Sequence, residues 1–165
     1  MIKLPGCRLA ILIAILLGSG AGAALPQKSK VHQTASGTWN LDVTKSEFGE
    51  APKPISAHLT VAIKGKSLSW TSVVVRADGN RVKTFFDGAI DGKGYPVRSE
   101  PDAGTVSASY TLYEDGTTHA TLKSPTGRME MTISVSRDAK TLIIKNELID
   151  NSGENITWSE VWRRI

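Results

Sequence analysis

Apolar and polar residues alternate along most of the chain after residue 36, in short runs separated by turns. The alternation is clearest in four runs: Trp39, Leu41 and Val43; Leu59, Val61 and Ile63; Val106, Ala108, Tyr110 and Leu112; and Met129, Met131, Ile133 and Val135. A period of two residues is typical of β-strands with one buried and one solvated face. No stretch after residue 23 has a convincing helical stripe, so we predict an all-β domain.

Glycine-containing turns divide this pattern into strands, because Gly and Asn tolerate the positive φ that tight hairpins require. Two longer connections, 44–56 and 91–103, each contain two prolines. The sequence predicts nine strands, near residues 37–43, 57–64, 67–77, 81–90, 104–113, 117–124, 127–136, 141–149 and 155–163.

Strands that follow one another through tight turns form an antiparallel meander. A meander of this length with one apolar face either closes into a barrel or folds over as a sandwich. Closure removes exposed sheet edges, and most connections are too short for Greek-key crossings. We therefore predict an up-and-down barrel, with the sandwich as the alternative. Gly88, inside the run from Phe85 to Ile90, is expected where a strand bends sharply.

The N-terminal region has the layout of a secretory signal peptide. Lys3 and Arg8 precede an unbroken apolar run at 9–17, and small residues follow at 18–24. The alternative is a retained anchor, but the run is far shorter than the roughly 20 residues that span a bilayer. We predict a signal peptide at 1–23, a flexible tail at 24–36 and one barrel domain at 37–165.

Cleavage after Ala23 changes what composition implies about partners. It removes Cys7, the only cysteine, and with it any disulfide or thiol chemistry. It also removes Lys3 and Arg8, which lowers the net charge of +4 by two. Charges of both signs are interspersed in the remainder, so no basic block suggests nucleic acid. We expect export to the periplasm or the exterior, without stable membrane insertion after cleavage.

Two strings resemble a known group of barrels. Gly37-Thr38-Trp39 matches the G-x-W with which lipocalins and related calycins open. The longer string G-T-W-N-L-D-V-T-K-S-E-F at 37–48, with D-G-K-G-Y-P-V at 91–97, resembles small secreted bacterial proteins described as lipocalin-like. The resemblance implies a calycin-type barrel in which Trp39 plugs one end. It also implies that a terminal arginine packs across Trp39, either Arg163, which we take first, or Arg164.

No residue pattern indicates catalysis. His32, His58 and His119 are far apart and lack the short, fixed spacing of zinc ligands. A G-x-S-x-G nucleophile elbow is absent from the sequence, and the acidic residues do not follow the order of a calcium loop. We expect no enzymatic activity, no catalytic residues, no metal and no cofactor.

Large side chains at inward positions are the better candidates for function. Alternation places Trp70, Phe86, Tyr110, Met131 and Trp158 where they could line a ligand cavity or simply fill the barrel. Glu160 shares a face with Trp158 and Trp162. If it is buried, it needs a partner such as an arginine, or it has a raised pKa.

These observations favour a carrier or sensor for a small apolar or amphipathic molecule. The alternative is an envelope protein–protein interaction or inhibitor module with a filled barrel. An open cavity is expected for the first function, and an exposed apolar patch over a filled interior for the second.

Overall fold

The computed structural model describes residues 35–102 and 104–165. The predicted signal peptide, and the predicted tail up to residue 34, lie outside the described residues. Ten strands follow one another along the described chain: β1 (Gly37–Leu41), β2 (Ser56–Lys64), β3 (Ser67–Val75), β4 (Arg81–Ala89), β5 (Tyr95–Glu100), β6 (Val106–Leu112), β7 (Thr118–Ser124), β8 (Gly127–Val135), β9 (Thr141–Asp150) and β10 (Asn155–Arg164).

The strands form a closed barrel in which each strand pairs antiparallel with its neighbour in sequence. Pairing of β1 with β10, with Trp39 opposite Arg164, closes the barrel. The predicted up-and-down meander is therefore confirmed, and the sandwich alternative is wrong. The described part of the chain contains no apolar helix of membrane-spanning length.

The tenth strand, β5, lies within the predicted connection 91–103. It pairs with β4 over four residues and with β6 over only three. Pro96 lies inside β5 and has no N–H to donate, which is why the segment does not look like a strand in the sequence. The short pairing with both neighbours accommodates this proline, whose side chain is exposed.

Two clusters of buried side chains divide the barrel interior. The first comes mainly from β3 to β7 and contains Leu68, Phe86, Ile90, Val97, Ala108, Tyr110 and Ala120. The second comes from β1, β2, β9 and β10 and contains Trp39, Ala57, Leu59, Leu142, Ile144 and Trp162. Val61, Trp70, Met131 and Ile133 are only partly buried and pack against both clusters. This arrangement leaves space between the clusters.

Gly88 makes room for two aromatic rings. It lies within β4, and a Cβ atom at this position would stand 2.7 Å from Cζ of Phe86 and 2.7 Å from Cγ of Tyr95. These two rings meet edge to face, with centroids 6.3 Å apart. The glycine is required because the aromatic rings occupy the space that a side chain would take.

Candidate functional site

Trp39 closes one end of the barrel. Its side chain is fully buried, and its indole N–H donates to the backbone carbonyl of Ala35 at 3.0 Å. The guanidinium carbon of Arg164 lies 4.2 Å from the ring centroid. Arg164 is therefore the arginine that packs across Trp39, and our first choice, Arg163, is wrong. The register explains this, because Trp39 and Arg164 are directly opposite each other and so point to the same face.

Arg163 points to the outer face instead. Its Nη1 donates to the hydroxyl of Thr141 at 2.8 Å, and its Nε lies 3.4 Å from the Asp42 carboxylate. Both partners are on neighbouring parts of the outer surface, so Arg163 ties β10 to β9 and to the end of β1.

The glycine of the G-x-W motif makes room for Arg164. A Cβ atom on Gly37, whose φ is +139°, would overlap Nη1 of Arg164. That guanidinium donates to the carbonyls of Ser36 and Ala139, each at 2.6 Å. Ala35 and Ser36, which belong to the predicted tail, thus contact the barrel. The ordered domain begins at least two residues before the predicted boundary.

An inner cavity of about 290 Å³ lies between the two core clusters. Most of its lining is apolar and comes from Leu59, Val61, Ile63, Leu122, Met129, Ile133, Leu142 and Ile144. Of the predicted candidates, Trp70, Tyr110, Met131 and Trp158 also line it. Phe86 does not line this cavity. It stacks on Trp70 instead, with centroids 5.8 Å apart and ring planes 13° from parallel.

A second cavity, the mouth cavity, of about 540 Å³, lies at the end of the barrel opposite Trp39. The connection between β1 and β2 contributes Phe48 and residues 51–54 to its lining. The inner and mouth cavities share four lining residues: Ser72, Trp158, Glu160 and Trp162. The two cavities are therefore adjacent, and these four side chains lie between them.

A neutral polar pair faces the inner cavity. The indole N–H of Trp70 donates to the hydroxyl of Tyr110 at 2.8 Å. Burial raises the pKa of Tyr110 well above its ordinary value, so the hydroxyl keeps its proton. Asn146 is also buried here, and its amide reaches the carbonyl of Ile144 only at 3.4 Å. These groups offer hydrogen-bonding atoms in mainly apolar surroundings.

Glu160 is held by two tryptophans where the two cavities meet. The indole of Trp158 donates to Oε1 at 2.9 Å, and the indole of Trp162 donates to Oε2 at 3.0 Å. Burial raises the pKa of Glu160, and the two indole hydrogen bonds partly oppose that effect. The expected partner was an arginine, whereas the structure supplies indole N–H groups. Among the described residues that line the inner cavity, Glu160 is the one carboxyl group, and none is lysine or arginine.

The histidines within the described residues lie away from this site. His58 Nδ1 is 2.6 Å from Oδ1 of Asn40 at an exposed position, and the His119 ring packs on Tyr113 with centroids 4.2 Å apart. His32 lies outside the described residues. Within residues 35–102 and 104–165, no three His, Cys, Asp or Glu side chains are grouped to hold a metal ion.

Two solved structures share the fold of this barrel. It is similar to the zebrafish ileal bile acid-binding protein complexed with cholic acid, at TM-score 0.54 and 12% identity, covering 80% of this chain and 99% of that one. It is also similar to a Schistosoma mansoni fatty acid binding protein in complex with arachidonic acid, at TM-score 0.54 and 11% identity, covering 82% and 98%. No protein-family model and no curated protein sequence matches this chain.

Strand β9 contributes residues to the site that alternation in the sequence did not predict. Leu142, Ile144 and Asn146 point inward, but outward positions such as Ile143 and Ile149 are apolar too. The inward face cannot be chosen from such a run. Asn146 and Ile144 were therefore not predicted to line the site. On β10 the tryptophans mark the inward face, and Glu160 follows from their spacing.

Proposed function

We propose that this protein is an exported carrier of a small apolar or amphipathic molecule, which it binds inside the barrel. The observation that carries the proposal is the inner cavity of about 290 Å³, bounded mainly by apolar side chains and adjacent to the mouth cavity. Ligand cavities of proteins are typically apolar with a few convergent polar groups. Glu160, Asn146 and the Trp70–Tyr110 pair are such groups.

Similarity of fold supports the same class of ligand. The zebrafish and Schistosoma proteins hold cholic acid and arachidonic acid, and both barrels are covered almost completely by the alignment. Fold alone does not determine function, so the argument for this chain depends on its own cavity. A binding role without catalysis agrees with a site built from apolar and aromatic groups.

Export is the second part of the proposal. It is supported by the signal-like pattern of Lys3, Arg8 and the apolar run at 9–17. A carrier in the periplasm or outside the cell would collect a poorly soluble molecule and keep it from water.

The cavity is tested by filling it. Met131 lines the inner cavity on β8, whereas the adjacent Thr132 points to the outer face. We expect Met131→Trp to abolish the change in tryptophan emission that hydrophobic ligands produce, and the matched Thr132→Trp to retain it. Circular dichroism checks that both variants fold, since overpacking costs about 1–3 kcal/mol. Equal binding by the two variants would exclude the inner cavity as the site.

A further inference from the structure

We propose that the barrel selects amphiphiles whose polar end is a protonated amine, which Glu160 receives where the inner and mouth cavities meet, over carboxylic acids of equal chain length. This inference rests on the proposed function, because it names the class of ligand for the same cavity. It differs from what the ligands of the similar barrels suggest, since cholic acid and arachidonic acid both carry a carboxyl group.

The Glu160 carboxylate is oriented and has acceptor capacity to spare. An ionised carboxylate has about four acceptor positions on its two oxygens. Trp158 occupies one position on Oε1, and Trp162 occupies one on Oε2. Glu160 lines both cavities, so a guest in either can reach it. A donor on the guest can therefore bind without displacing an indole.

The charge balance of the site favours a cation. Tyr110 and Glu160 are the ionisable side chains among the described residues that line the inner cavity. A carboxylate in apolar surroundings is costly unless it is paired, and an ammonium group would pair with it. A guest carboxylate would instead bring a second negative charge. The faces of Trp158 and Trp162 also attract cations through their ring quadrupoles.

Three cationic side chains lie near the barrel interior but outside the lining of the inner cavity. Arg164 packs on Trp39 at the closed end and donates to Ser36 and Ala139. Lys53 and Arg76 line the mouth cavity, and Asp78 accompanies them there. An anionic guest could place its head between Lys53 and Arg76 with its chain directed inward. Binding in that orientation would not depend on Glu160, so it can be distinguished experimentally.

Isothermal titration calorimetry of the mature wild-type protein with three ligands tests the proposal without any substitution. The ligands are dodecylamine, dodecan-1-ol and dodecanoic acid, each below its aggregation concentration at about neutral pH. We expect dodecylamine to bind about tenfold or more tightly than dodecanoic acid, the size expected for one charge-assisted hydrogen-bonded pair. Dodecanoic acid binding as tightly as dodecylamine would overturn the proposal.

Glu160→Gln then locates the selectivity, with Glu147→Gln as the matched control. Glu147 also lies on a barrel strand, but its carboxylate accepts from Asn155 on the outer face at 2.6 Å. We expect Glu160→Gln to lower the affinity for dodecylamine, measured relative to the affinity for dodecan-1-ol, about tenfold or more. Glu147→Gln should change neither. An unchanged dodecylamine affinity in a folded Glu160→Gln protein would contradict the proposal. If that variant does not fold, the comparison of the three ligands with the wild-type protein decides.

Failure of this inference is distinguishable from failure of the carrier function. If dodecan-1-ol binds and Met131→Trp blocks it, but dodecylamine has no advantage over dodecanoic acid, the amine selectivity is refuted and the carrier function stands. If none of the three ligands binds, both are refuted.

Discussion

Replacing Trp39 by alanine should lower the free energy of unfolding by about as much as the loss of a single core side chain can. The side chain has no exposed surface, its N–H is bonded to Ala35, and Arg164 covers its ring. Replacing a buried large aromatic residue by alanine costs about 3–5 kcal/mol. The indole hydrogen bond contributes about 1 kcal/mol, and the cation–π contact contributes about 0.5–1 kcal/mol. Both interactions are lost in the same substitution, so we expect the unfolding free energy to fall by about 5 kcal/mol.

The assay is urea unfolding followed by far-ultraviolet circular dichroism, because the substitution removes one of the fluorophores. Trp39→Phe should lower the unfolding free energy less, because it retains a ring for Arg164 although it loses the hydrogen bond to Ala35. Arg164→Lys should also destabilise the protein, whereas Arg163→Lys is the control on the outer face. A loss below 1 kcal/mol for Trp39→Ala would refute the conclusion that this residue closes the barrel.

Three further predictions concern other positions. Gly88→Ala should lower the unfolding free energy by about 1–3 kcal/mol, because the new methyl meets the Phe86 and Tyr95 rings; an unchanged urea midpoint would contradict this. The raised pKa of Glu160 means that the folded protein retains this proton to a higher pH than the unfolded chain. That stabilisation is fully present below the unfolded pKa of about 4.3 and is lost as pH rises through the raised value. The wild-type unfolding free energy should therefore fall relative to Glu160→Gln across this range, and parallel pH profiles would exclude the effect. N-terminal sequencing of the exported protein should begin near Ala24, and a sequence starting at Met1 would refute export.

The architecture could be predicted from the sequence because the alternation is strong and the turns are short. Trp39, Leu59 and Tyr110 each lie in a clean run with period two, and all three are buried. Local pattern of this kind determines which face of a strand is apolar, and the closed meander follows from it. The strand β5 was missed because Pro96 is atypical of a paired strand.

The candidate site was predictable in some of its residues but not in its contacts. Spacing put Trp158, Glu160 and Trp162 on one face, and the structure adds that both indoles donate to the same carboxylate. The choice between Arg163 and Arg164 depends on the register of β1 against β10, which is a long-range property. Met131 and Trp70 could either fill the barrel or border a cavity. The outcome depends on how side chains pack across the barrel interior, which a local sequence pattern does not determine.

Native mass spectrometry of the protein purified from its own source, before and after solvent extraction, would show whether the barrel carries a ligand. We expect an additional mass that is reproducible, leaves with the solvent, and is absent from Met131→Trp but present in Thr132→Trp. A bare polypeptide mass in all samples, with no change in tryptophan emission on adding lipids or aromatic compounds, would contradict the carrier function. That result would favour a filled barrel that acts through its outer surface.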